Sequence, residues 1–170
     1  MTGSVRPVIP ADVPTVTQLI RELAAYERSE HAVEVIEAQL HDALFGPSPA
    51  LFGHVGLTPD GNVVGFALWF LNFSTWRGTH GIYLEDLYVR PEHRGSGLGR
   101  QLLGELARVC VRRGYRRLEW SVLDWNAPAI GFYRAAGAES VDGWTVYRLT
   151  GDALERFATP PTERASGPTY

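Results

Sequence analysis

The segment Arg94-Gly95-Ser96-Gly97-Leu98-Gly99 sets the tightest limit on how this chain folds. It follows a strand-like apolar run, Ile82 to Val89, that ends at Pro91. Behind it stands a helical stripe of Leu98, Leu102, Leu106, Val109 and Cys110, with Arg100, Arg108 and Arg112 mostly on the other face and Gly114 at the stop. Glycines between a strand and a helix let the backbone approach a ligand closely, and the N–H groups of a helix start suit a phosphate. The spacing is not that of a dinucleotide fingerprint, and no Gly-Lys-Ser/Thr follows. Diphosphate binding is the reading preferred over an ordinary glycine-rich turn.

The rest of the chain sorts into elements around that unit. Val5 to Ile9 reads as a strand; Asp12 caps an amphipathic helix carrying Val16, Leu19, Ile20, Leu23 and Ala24, which runs to about Arg28. A weaker helix covers Glu34 to Phe45 and stops at Gly46-Pro47. Leu51 to Leu57 and Val63 to Leu71 form a hairpin around Pro59-Asp60-Gly61-Asn62, and Asn72 to His80 reads as a polar loop. Leu118 to Leu123 is a strand, Asn126 opens a helix to Arg134, and Val141 to Leu149 is a last hairpin around Asp142-Gly143. Early hairpins plus one central β-α-β unit predict a mixed α/β (α+β) fold: one domain, residues 1–158, with a mostly antiparallel twisted sheet and about four helices. Residues 159–170, rich in Pro, Ser and Thr, predict a flexible tail.

Composition narrows the function. A net charge of −3 argues against binding nucleic acid or anionic membranes. No run is apolar enough to span a bilayer and the first residues lack a signal-peptide pattern, which predicts a cytoplasmic protein. All 16 basic residues are arginine, so Schiff-base and Walker-lysine chemistry is excluded. The single cysteine, Cys110, lies in a core stripe, and the five histidines show no ligand spacing, so no metal site is expected.

The stretch Ile82-Tyr83-Leu84-Glu85-Asp86-Leu87-Tyr88-Val89 through Gly99 resembles the acetyl-CoA motif of the GNAT N-acetyltransferases. The glycine segment by itself names only the superfamily. Leu84-Glu85-Asp86, Asp124-Trp125-Asn126, Phe132-Tyr133 and Tyr26-Glu27 together resemble the diamine (spermidine/spermine) and thialysine acetyltransferases, over about Val5 to Leu154. That resemblance implies a GNAT domain, acetyl-CoA as co-substrate, no metal, a small-molecule primary amine as acceptor and a homodimer. It also implies roles. Leu87, Tyr88 and Val89 pair with the pantetheine arm, and Arg94, Gly95, Ser96, Gly97, Leu98, Gly99 and Arg100 wrap the pyrophosphate. Asn126 and its helix start, Ala127, Pro128 and Ala129, touch the cofactor farther along. Tyr133 meets the departing thiolate, Glu85 helps deprotonate the amine through water, and Tyr26, Glu27 and Asp86 lie in the amine pocket. Trp76 is a candidate for lining the amine channel. Where diamine enzymes carry Asp-Pro-Trp, this chain has Ser74-Thr75-Trp76-Arg77. Losing a carboxylate and gaining a cation weakens the hold on a polycation, and the Val122-Leu123-Asp124-Trp125-Asn126 segment leans toward the thialysine-type branch, whose substrate carboxylate an arginine such as Arg77 can meet.

The residue types suit the reaction. Exposing the lone pair of an alkylamine of pKa about 10.4 at neutral pH costs about 4 to 5 kcal/mol. An ordinary glutamate near 4.3 is too weak a base for one direct step, so a water relay shares the work. A phenol near 10 protonating a thiol near 8.5 is uphill by about 2 kcal/mol, so Tyr133 acts as proton or hydrogen-bond donor. Each has a plainer alternative: packing for Tyr133 and Trp76, an ion pair for Glu85 or Asp86, a solvent-facing helix end for Tyr26-Glu27. At the level of the whole chain, acetylation of protein lysines or N-termini and a non-catalytic acyl-CoA sensor remain open.

Overall fold

Residues 52–57 and 63–74 are rich in apolar and aromatic side chains, and a Gly61 turn with φ +84° joins them, so they zip together as neighbouring strands. The computed structural model describes residues 3–159 and contains a five-stranded sheet in the order β1-β2-β3-β4-β5. The strands are β1 (Ser4–Pro7), β2 (Phe52–Leu57), β3 (Val63–Ser74), β4 (Thr79–Val89) and β5 (Leu118–Glu119). Neighbours are antiparallel except β4 and β5, which are parallel and joined through a crossover helix, as the mixed α/β reading expects. The helices are α1 (Val13–Tyr26), α2 (Glu37–Phe45), α3 (Leu98–Arg113), α4 (Ala127–Ala135) and α5 (Gly151–Ala158).

Val55, Phe66, Leu68 and Tyr88 of the sheet pack with Val16 and Leu19 of α1 and with Leu40 and Leu44 of α2 in one buried cluster. α3 packs against β1, β2, β3 and β4, with Leu102 and Leu106 wholly buried. At the start of α1, Asp12 is not a side-chain cap. Its carboxylate accepts two hydrogen bonds from Arg6, at 2.6 and 2.9 Å, and one from the Ile9 N–H. Burial pushes this carboxyl up, but the Arg6 bonds and charge and the Ile9 N–H outweigh it and hold it below the ordinary range.

Three sequence expectations need correction. The polar loop over 72–80 is largely strand: β3 runs to Ser74 and β4 starts at Thr79, with a tight turn closed by Gly78 at φ +62°. Phe73 and His80 stack edge to face across this ladder, a pair that polarity counting hides. The ladder of β5 ends at Glu119 rather than running to Leu123. No hairpin forms over 141–149: the turn at Asp142-Gly143 is present, but Glu139-Ser140-Val141 is too short an arm for a ladder. A fifth helix, α5, occupies 151–158, with Asp152 in its first turn and Arg156 in its last.

The chain groups into two compact units that divide between Phe132 and Tyr133. The first holds the whole sheet, α1 to α3 and the start of α4. The second holds the end of α4, turned at Gly137 (φ +89°), and α5. Of the expected tail, residues 160–170 lie outside the described residues.

Candidate active site

Cross-strand register creates the site. Between β3 and β4, Leu68 faces Asp86 but Trp69 faces Leu84, leaving Glu85 as an extra residue without a partner on β3. This is a β-bulge, and it reverses a simple alternation. In a regular strand Leu84 and Asp86 would share a face; the inserted residue puts them on opposite ones. Asp86 therefore stands on the face of Leu68 and Tyr88, the face covered by α1. Glu27, immediately after α1, is close enough to act on it electrostatically, as is Glu85. Burial first, then these two carboxylates, push the Asp86 carboxyl up from 3.8 to about 6. Burial also raises Glu27. Three acids converge where a cation would relieve all of them.

The end of α1 is fastened to the neighbouring loops. Arg90 donates two hydrogen bonds to Glu22, at 2.9 and 2.8 Å. The Arg94 guanidinium lies 4.6 Å from the Tyr26 ring centre and 5.6 Å from that of Tyr88, and its Nε–H donates to the Val89 carbonyl at 2.9 Å. The Tyr26 hydroxyl donates to Asn126 Oδ1 at 3.2 Å, and the Tyr26 ring meets Trp125 at 6.1 Å. Arg28, held at φ +58°, sits over Trp125. Asn126 Oδ1 also accepts the Ala129 N–H at 3.3 Å, which makes Asn126 the cap of α4. Replacing Asn126 by Ala removes the cap and strands the Tyr26 hydroxyl. The expected cost is about 1 to 2 kcal/mol, read from the urea midpoint.

Beyond Tyr83 opposite Glu119, β4 and β5 share no ladder, and the Tyr83 hydroxyl shares a hydrogen bond with the Ser121 hydroxyl at 2.8 Å. Leu87, Tyr88 and Val89 thus lie past the last β5 rung. The glycine loop follows. Gly95 and Gly97 have φ of +75° and +90°, and a Cβ at Gly95 would meet nothing within 4 Å. The helical ladder of α3 begins with the Gln101 N–H on the Gly97 carbonyl, so the N–H groups of Leu98, Gly99 and Arg100 have no acceptor within the helix. Open space, left-handed glycines, unpaired N–H groups and the exposed guanidinium of Arg100 suit a diphosphate.

The first unit thus brings together Tyr26, Glu27, Glu85, Asp86, Tyr88, Arg94 and Asn126. Trp76 and Arg77 are not with them. They form the β3–β4 turn, about 20 Å of strand beyond the Leu68–Asp86 pair, and Trp76 is 90% exposed. Tyr133 begins the second unit, on α4, seven residues past Asn126. The Glu22–Arg90 pair and Arg28 were not among the sequence candidates, because partners 68 residues apart leave no local pattern. Among the described residues no group of three ligating side chains suits a metal ion, and no helix is long and apolar enough to cross a membrane.

Comparison with known proteins agrees with this geometry. The sequence model of the acetyltransferase (GNAT) family matches residues 14–138. The chain is 38% identical over 159 residues to a thialysine N-epsilon-acetyltransferase of Bos taurus, covering 86% of this chain and 92% of that protein. It is 31% identical to an L-ornithine N5-acetyltransferase of Arabidopsis thaliana, covering 91% and 87%. Among solved structures, an integron cassette protein from the mobile metagenome of V. cholerae superposes with a TM-score of 0.77 at 26% identity, covering 93% of this chain and 98% of that one.

Proposed function

Because the chain belongs to the acetyltransferase (GNAT) family, we propose that it moves an acetyl group from acetyl-CoA directly onto the primary amine of a small molecule, in a ternary complex. A thialysine-like amino acid is the preferred acceptor and a di- or polyamine the next. The observation that carries this reading is the convergence of Glu27, Glu85 and Asp86 at the β4 bulge, beside a glycine loop suited to a diphosphate.

Acetyl-CoA supplies the activated acyl group; the chain's side chains manage charge and protons. The three carboxylates attract the ammonium form of the acceptor and order it near the bulge. A carboxyl held at about 6 takes the ammonium proton with a smaller uphill step than one at 3.8, so Asp86 is the better-matched acceptor. Glu85, outside the ladder, relays through water. The amine then bonds to the acyl carbon, the nitrogen gives up its second proton through the water held by Glu85, the carbon–sulfur bond breaks, and Tyr133, assigned from the sequence pattern, donates a hydrogen bond or proton to the departing thiolate. Backbone N–H groups near Leu87 are the candidates for holding the developing oxyanion. Arg77, at the hairpin tip, is placed away from the acids of its own chain. The preference for thialysine therefore rests on the relatives and on the missing acid.

The test is thiol release from acetyl-CoA with thialysine, ornithine, spermidine, putrescine and a lysine peptide. Turnover on a free amine, highest on thialysine, is the expected outcome; turnover on the peptide alone, or on nothing, sinks the proposal. In the same assay, Tyr133→Phe is expected to lower kcat about tenfold while leaving the acetyl-CoA Kd unchanged. Unaltered kcat removes Tyr133 from the mechanism.

A further inference from the structure

Away from the glycine loop the first unit contains a cavity of about 370 Å³, a volume in the range of small-ligand sites. It lies beside the last turn of α3, about 21 Å along the helix from Leu98. Apolar side chains, chiefly Leu44, Phe45, Phe52, Trp69 and Val109, make its walls. Phe52 and Trp69 stack at 4.6 Å, forming a flat aromatic floor. Arg112 and Arg113 line the same cavity.

The cationic and donor groups of the lining suit an anion. Glu105 accepts from both Arg108 and Arg112, at 2.7 and 3.3 Å, so one carboxylate is shared between two guanidinium groups. Arg113 forms no ion pair with any of the described residues. Two positive charges are thus left over at this end of α3, more than the partial negative charge of about half a unit at a helix C-terminus. His54 supplies a third group. The Trp69 indole can only donate, and it donates to His54 Nδ1 at 3.3 Å. The neutral ring therefore carries its proton on Nε2, and that N–H donates to none of the described residues. His54 is 7% exposed, is felt electrostatically by Glu105 first and by Arg112 after it, and lines the cavity, so an anion there has to draw Arg112 away from Glu105.

We propose that this cavity binds a small monocarboxylate with an aromatic or medium-chain apolar body. The body lies between the Phe52–Trp69 floor and the Leu44, Phe45 and Val109 walls. The carboxylate accepts from Arg112 and Arg113 and from His54 Nε2–H. Only a ligand with one charged end and an apolar remainder satisfies both halves of the lining; a polyanion would strand its second charge on the aromatic floor. The site is separate from the acids at the bulge, which favour cations.

The experiment titrates 15N-labelled full-length protein with 3-phenylpropionate and follows the Trp69 indole N–H. That resonance is assigned from Trp69→Phe or, should that variant not fold, from its contacts to the Phe52 ring. Calorimetry gives an independent Kd. The expected result is a saturating shift with millimolar or tighter affinity, weakened at least about tenfold with the isosteric alcohol 3-phenylpropanol and in the exposed-residue double variant Arg112→Gln/Arg113→Gln. No shift up to about 10 mM, equal binding of the alcohol, or undiminished binding by the double variant would each overturn the proposal.

Discussion

Asp86→Asn is expected to lower kcat/KM for the amine about a hundredfold while leaving acetyl-CoA binding intact, because it removes both a counter-charge and the best-matched proton acceptor. The pH profile separates this from a packing effect. With the wild-type carboxyl at about 6, kcat/KM rises with pH through that value as Asp86 ionises. The variant loses this acid limb. Stability moves in the opposite sense. The folded-state value lies above the unfolded one, so the folded protein holds this proton more tightly, and stability falls as pH rises through the window from about 4 to about 6. Above that window the folded state carries the full penalty of a buried charge next to two others. Asparagine has no such charge, so Tm of the variant exceeds that of the wild type at about pH 8 and converges with it near pH 4. A variant that is less stable at pH 8, or one that keeps an acid limb near 6, would mean that Asp86 is held by packing and does not titrate in function.

That coupling of activity to strain explains which parts of the site were legible in the sequence. Leu84-Glu85-Asp86 stands out because carboxylates inside an apolar strand require a reason, and that much is read from composition alone. Which acid points where is another matter. Strict alternation assigns Leu84 and Asp86 to one face, and only the β3–β4 register, a contact between residues 15 to 18 apart at this point, reveals the extra residue at Glu85. Within the proposed function, the better-matched proton acceptor is therefore Asp86 rather than Glu85 once the bulge is known. Tyr26-Glu27 at a helix end looked as much like solvent-facing termination as like a pocket. Its meaning comes from Asn126, one hundred residues later, whose carbonyl joins the Tyr26 hydroxyl to the cap of α4.

Local pattern served the elements well where burial and periodicity agreed, as in α1, α3 and the β2–β3 hairpin. It failed where they parted. The 72–80 stretch is polar yet forms strand, since β3 and β4 continue to pair beyond the buried part of the sheet. Val141 to Leu149 is apolar yet forms no ladder, since strand propensity without enough residues on both arms gives a turn and nothing more. The opposed lesson is α5, whose Ala153, Leu154 and Phe157 spacing was readable but too short to stand out.

The glycine loop gives the sharpest test of the cofactor half of the proposed function. Gly97→Val is expected to raise the Kd for acetyl-CoA about a hundredfold, with Tm lowered modestly. Space is not the obstacle inside the protein: the nearest atom to a Cβ at this position is Gln101 Nε2 at 4.0 Å. The obstacle is backbone, since φ +90° is open to glycine and costs a β-branched residue about 1 to 2 kcal/mol or more. Relieving that strain rotates the peptide that begins α3, and with it the N–H groups at Leu98, Gly99 and Arg100 that suit a diphosphate. Gly104→Ala is the control: it lies inside α3 with nothing within 4 Å of its Cβ, so the exchange leaves affinity unchanged and raises stability by about 1 kcal/mol. Calorimetry with acetyl-CoA reads both variants. Equal affinity for Gly97→Val and wild type would place the diphosphate elsewhere, and the role assigned to residues 94–100 would fall with it.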